Sequence, residues 1–488
     1  MKRLRFVFPV VLVAVLVLTT LASAQGELDP GMGSVNFTVQ NLDSSETASV
    51  IASYINSSGV VAATVNKNIL PRSSEGFPVT ESGLPDNWDG SVIVSADREI
   101  VAFAQARWEN GTFGDTKTAG AYNGFTVGAN KLYFPSLAAR PGKQIARLSI
   151  QSAEGASTSD SIDITISFFD RDGTANYVIN DTLLKGTQKT YDLLDDATIV
   201  PNRDDGWLGA ATVESSDPIA GVATMHWMEY SGAYSGVTGG GTTAYVPSVN
   251  RRLPDGATWY QYTALIVQNL DDTVDANVTV NWYDRDGAEL FSFPDIIPAN
   301  SSHGYNTRQT GSDVPDHTAL HDALGINWNG SVVVTSDTDI VAVANLQWTA
   351  NSPVSLAATS YTSEPSGNDE IFVPANFRRT AGGTWNQFTG LIVQNVGSTA
   401  CTDYDVSWFN RDGDEMLAYQ SSLDPNIAVG FNTAYGAGFP NGTTDTVLLT
   451  DDFRGSVYIS APGCELMAVH NTLWPLWTDS TTYNAFGK

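Results

Sequence analysis

The chain has 488 residues, with 53 acidic against 25 basic side chains and a formal net charge of −28, a balance that argues against nucleic acid as a partner. Apolar residues make up 42% and charged residues only 16%, which is ample material for packed cores and excludes a disordered chain.

The N-terminus carries Lys2, Arg3 and Arg5, then an apolar run from Phe6 to Leu18, then Ala22-Ser23-Ala24. This order is that of a secretory signal peptide with an A-x-A cleavage site, so residues 1–24 are expected to be removed. The run is short for a membrane span, and no later window supplies the roughly 18 apolar residues a spanning helix needs. The mature chain is therefore expected to be extracellular or at the cell surface, without a membrane span. Its loss of three basic and no acidic residues takes the net charge from −28 to −31, which favours solubility and attracts divalent cations.

The remainder is written in copies. "LIVQN" stands at Leu265–Asn269 and again at Leu391–Asn395, and related strands begin at Val39 and Ile150. Each is followed by an alternating apolar run ending in a turn: "SYINSSG" to Gly59, "SFFDRDG" to Gly173, "NWYDRDG" to Gly287 and "SWFNRDG" to Gly413. Alternation running into Asp/Asn-x-x-Gly predicts a strand entering a hairpin. Next come an aromatic residue, a Gly and paired β-branched runs that close on Trp108, Trp227, Trp348 and Trp474; the spacing from that Gly is 18 residues in the first three copies and 19 in the fourth. Each unit ends on a Tyr, in "AYNGF", "AYSGV", "TSYTS" and "TYNAF". The next opens almost at once with "YFPSL", "YVPSV" or "FVPAN".

The Pro of each opener, Pro135, Pro247 and Pro374, cannot donate to a ladder, so the opener is expected to be an edge strand or a joining segment. An Arg follows five residues later, Arg140, Arg252 and Arg379. These six residues are the expected inter-domain joints, each Arg pairing with a carboxylate across a boundary. The units are 25–130, 131–243, 244–370 and 371–488, each with seven or eight strands. One short helical turn is expected near Pro315 to Leu324. The fold class is thus all-β: four tandem Ig-like β-sandwiches in an elongated array, spanning roughly 150 Å.

The succession of "IVQN", a "YDxxG" hairpin, "GSxVVxSxxxIVAVA", "YNGF" or "YSGV" and "YVPSV" resembles tandem β-sandwich repeats of bacterial secreted and cell-surface proteins. The resemblance covers residues 34 to 488 and implies no assigned catalytic activity. The first copy departs from it, because its opener would fall inside the signal peptide.

Other candidate sites weaken once placed in the repeat. Most of the 12 tryptophans recur at one offset, as core residues do. Trp477 has no counterpart, so Trp474 and Trp477 in "WPLW" form the aromatic cluster that could touch a ligand. The "DRDG" turns at Asp170 and Asp284, and their "NRDG" counterpart at Asn410, offer oxygens for weak surface Ca²⁺. They lack the remaining ligands of a calcium loop, and a plain hairpin turn accounts for them. His317 and His321 have the spacing of zinc ligands but no third partner; a solvated helical turn accounts for them. Cys401 and Cys464 fall in one unit of an exported chain and are expected to form a disulfide.

No HExxH, GxSxG, Walker loop or strand-to-helix GxGxxG occurs, so neither catalytic residues nor a cofactor is expected. The expected function is that of an exported structural protein of a surface layer, sheath, fibre or adhesive stalk. Its partners would be other copies of itself or cell-surface components, including glycans. The alternatives are a carbohydrate-binding array and a non-catalytic subunit of a secreted complex.

Overall fold

The computed structural model describes residues 15–16, 31–110, 117–193, 206–227, 230–253, 259–308, 313–350, 356–379, 386–434, 436, 438–439, 449–474 and 479–488. The chain is all-β, with antiparallel sheets throughout, and the helical segments among the described residues are the 3₁₀ turn Val79–Ser82 and the helix His317–Leu324. That helix falls on the expected turn. The Asp316 side chain caps it by accepting from the Ala319 amide at 2.9 Å.

The second repeat shows the plan. One sheet runs in the order Ala175–Leu184, Ser161–Asp170, the first half of Trp207–Trp227, and the opener Ala129–Arg140. The other runs Gln188–Asp192, Gln144–Ser152, the second half of Trp207–Trp227, and the closing strand Tyr230–Ser235. A single long strand thus crosses from one sheet to the other. Period-two alternation drives this: Ile162, Ile164, Ile166 and Phe168 are buried while Asp163 between them is exposed, so one face of the hairpin supplies the core.

The repeated glycines have a steric cause. A Cβ on Gly209, Gly330 or Gly455 would lie 2.1, 1.9 or 1.8 Å from a carbonyl oxygen of the neighbouring strand, and the aromatic residue two positions earlier folds its ring over the same point. Such an approach admits only Gly.

The "VQN" motif also has a local cause. Asn269 is buried and donates to the carbonyls of Val274 and Ile297 at 2.8 and 3.1 Å, while its Oδ1 accepts from the Asp271 amide at 3.0 Å. Asn41 and Asn395 make the corresponding bonds in their repeats. Each Asn therefore replaces missing ladder partners where the hairpin folds back.

The four sandwiches do not form the expected elongated array. The hairpin turn of each repeat docks on the next: Gly59 abuts Ser157, Gly173 abuts Ala299 and Gly287 abuts Pro425, while Gly413 of the fourth repeat returns to Leu70 and Pro71 of the first. Core packing follows the same cycle. Val222 completes the first core, Val343 the second and Val469 the third, while Phe103 of the first repeat completes the fourth. These four residues share one register position, immediately before Ala104, Ala223, Ala344 and His470. The chain is a closed ring, because the face that each repeat offers its successor also fits the last repeat to the first.

Candidate axial binding site

The closing strands Lys117–Asn123, Tyr230–Ser235, Leu356–Thr362 and Asp479–Asn484 meet around the ring axis. They approach closely because their contact residues are small: a Cβ on Gly120 would stand 2.8 Å from that of Ala233, and one on Gly232 would stand 2.6 Å from Ser360 Oγ. The closing tyrosines turn inward and clamp the openers. Tyr234 Oη donates to the Ser136 carbonyl at 2.7 Å and accepts from its amide at 3.1 Å; Tyr361 does the same at Ser248. Burial pushes the Tyr234 and Tyr361 hydroxyls far above the usual phenol range, so they serve as neutral hydrogen-bonding groups.

One residue past each Tyr, the side chains of Asn123, Ser235, Thr362 and Asn484 form a polar collar. Ser235 Oγ donates to the Asn123 carbonyl at 2.7 Å, Asn123 Nδ2 to the Asn484 carbonyl at 2.9 Å, and Asn484 Nδ2 to the Thr362 carbonyl at 2.8 Å. Outside the collar lie two cavities of about 420 and 570 Å³ that share Asn123, Glu364 and Pro365. The Glu364 carboxylate accepts from Asn484 Nδ2 at 2.9 Å. Burial raises its pKa to about 7 against the opposing effect of the Asn484 bond. Its side chain keeps partial solvent contact, which moderates that shift. Asn123 Oδ1 and Asn484 Oδ1 are buried without a protein hydrogen-bond donor. Both oxygens are closed off from solvent, so the acceptor that the cavities present is the partly exposed Glu364 carboxylate, and complementary ligands would offer hydroxyl or ammonium donors.

This site was missed in the sequence, although a signal exists. The third residue after the closing Tyr is Phe125, Val237 and Phe486 in three repeats but Glu364 in the other, a lone acid in an otherwise apolar register.

The sequence candidates lie elsewhere. Cys401 and Cys464 are bonded, with their Cα atoms 5.4 Å apart. Pro135, Pro247 and Pro374 each fall where the opener's register slips by a bulge, the position a residue without an N–H tolerates. The expected pairing across a boundary fails at Arg379. Arg379 pairs with Asp452 at 2.9 Å on the adjacent strand of its own repeat. Arg252 is shielded enough that desolvation lowers its pKa. Arg140 packs against Gly206. Inter-repeat ion pairs include Arg171 with Asp313 at 2.7 Å and Arg411 with Glu75 at 3.9 Å, both from the hairpins, and Lys488 with Glu99 at 2.6 Å.

Trp474 is 4% exposed, with the Arg107 guanidinium 5.7 Å from its ring, so it is packed at the joint between the first and fourth repeats rather than offered to a ligand. Trp477 lies outside the described residues. Asp284 Oδ1 is occupied by amides of its own turn, and Asp170 Oδ1 accepts from the Trp207 indole. His317 and His321 lie 5.7 Å apart, ring to ring, on their helix. Among the described residues, no group of three or more His, Cys, Asp or Glu is arranged to hold a metal.

No family model and no curated protein matches the chain. Among solved structures, the Anabaena sensory rhodopsin transducer aligns at 16% identity and a TM-score of 0.17, covering 21% of this chain and 85% of that one. Thermotoga maritima 1070 aligns at 11% identity and 0.18, covering 25% and 93%. The serine-rich repeat protein Srr2 of Streptococcus agalactiae aligns at 9% and 0.11, covering 54% and 85%. Likenesses this loose carry no inference about function.

Proposed function

We propose that the chain is an exported, non-enzymatic architectural and binding protein of the cell surface, working as a closed ring of four Ig-like sandwiches rather than as a stalk. The observation that carries this reading is the Glu364 carboxylate, held by Asn484 of the collar at the wall of both cavities on strands fixed by core packing and by the Tyr234, Tyr361 and Tyr483 clamps. Preorganised acceptors favour a ligand rich in hydroxyl donors, which makes a surface glycan the preferred ligand class. The leader sequence and the acidic, soluble composition support export.

Cell fractionation combined with calorimetric titration of soluble envelope oligosaccharides tests it. The chain should appear outside the cytoplasm, and oligosaccharide binding should weaken at least tenfold in Asn484→Ala. Cytoplasmic retention, or binding that is absent or unchanged by Asn484→Ala, would overturn the reading.

A further inference from the structure

Three repeats hold an opener at the edge of their first sheet. In the second, Phe134 stands opposite Ala211 and Leu132 opposite Val213, and Leu132, Phe134 and Leu137 are buried in the core. The first repeat has the matching acceptor strand Gly90–Ala96 and a buried closing Tyr122. Its described residues 31–123 contain no opener.

The edge of Gly90–Ala96 is paired instead with Val15–Leu16, Val15 opposite Val92 and Leu16 opposite Ser91. Val92 and Ala211 both stand two residues after the repeat's close-packed glycine. Val15 thus takes the register of Phe134, and it does so from within the apolar leader. At the other end, Lys488 Nζ lies 2.6 Å from Glu99. The next residue, Ile100, corresponds to Ile219, which pairs with Ala129, the first residue of the second repeat's opener. The fourth repeat therefore ends beside the place where an opener for the first would begin.

We propose that the first repeat carries a strand-acceptor groove, occupied by Val15–Leu16 in the precursor and, after leader removal, by an extended strand from a partner polypeptide. That strand should share the opener pattern: alternating aliphatic and aromatic residues, then Pro, then small residues. An edge such as 91–95 offers unpaired amides and carbonyls, and strand addition satisfies them while side chains fill the core. A second copy would have to release one of its three described openers to donate it, because each is held in its own sandwich. Leader removal rests on the export reading above; the groove itself does not.

The test uses the chain from Gln25 onward, titrated with the synthetic peptide ANKLYFPSLAAR, the sequence of residues 129–140. Saturable one-to-one binding, with amide exchange at 91–95 slowed at least tenfold, is expected; the same peptide carrying Phe134→Asp should not bind. Appending the peptide after Lys488 through a short glycine link should protect the same amides and abolish binding in trans. Amides 91–95 already protected without peptide, together with no binding, would overturn the proposal. A dimer forming without peptide would overturn the assignment to a foreign strand. Intact mass of the exported chain separates the two readings: a retained leader, with binding seen only after its removal, would leave the groove standing and refute leader cleavage.

Discussion

Single side chains in this protein act by satisfying buried backbone groups. Asn269→Ala would strand the Val274 and Ile297 carbonyls and the Asp271 amide. A loss of about 3 kcal/mol is expected, measured as a lowered denaturation midpoint with an unchanged m-value. Ser152, at the matching place in the second repeat, bonds only the Glu154 amide, at 3.4 Å, so Ser152→Ala should cost well under half as much. Glu364 gives a pH dependence. Its folded pKa, about 7, exceeds the ordinary carboxyl value of 4.5, so the folded state binds the extra proton between those values. Stability should therefore fall as pH rises from about 4.5 to about 7, by at most about 3 kcal/mol; water at the cavity wall reduces it. Thermal melts across that window should flatten in Glu364→Gln.

Among the elements, the fourth sandwich alone carries a covalent tie. The Cys401–Cys464 bond closes 63 residues, and Cys464→Ala should lower stability by about 4 kcal/mol, seen as an earlier transition that reductant no longer shifts. The strands themselves were legible because their causes are local: alternation in 161–170, turn glycines at Gly173 and Gly287, and the edge position that Pro135 imposes on its opener are all written within a few residues. The long strand Trp207–Trp227 was legible only as a pair of runs, since its passage between sheets depends on what packs against each half. The partners of Arg140, Arg252 and Arg379 were not legible, because recurrence at one offset marks a shared environment without saying which neighbour supplies it. The axial collar escaped for the same reason, its members lying more than a hundred residues apart along the chain.

At the scale of the whole molecule, closure depends on one joint that no peptide bond enforces. Phe103 stacks on Tyr483 with centroids 4.3 Å apart, Gln105 donates to Thr481 at 3.2 Å, and the Arg72 guanidinium lies 3.6 Å from the Tyr458 ring centre. Phe103→Asp would place a charge in that buried contact and should open the ring, increasing the radius of gyration in solution scattering. Val343→Asp, at the tethered joint between the second and third repeats, should lower stability with a smaller change in size. Equal expansion in both would mean that the first and last repeats do not hold the ring shut.

A ring assembled from four separate identical chains must set the same side chain at every axial position, so whatever it binds is met with fourfold symmetry. Joining the sandwiches in one chain removes that constraint: the four collar positions hold Asn123, Ser235, Thr362 and Asn484, three residue types in all, and Glu364 takes a register position that is apolar in the other three repeats. The frame stays near-symmetric while the mouth acquires a front and a back. A ligand seated there would have one defined orientation instead of four equivalent ones, and its contacts could be tuned one sandwich at a time without disturbing the packing that the others share.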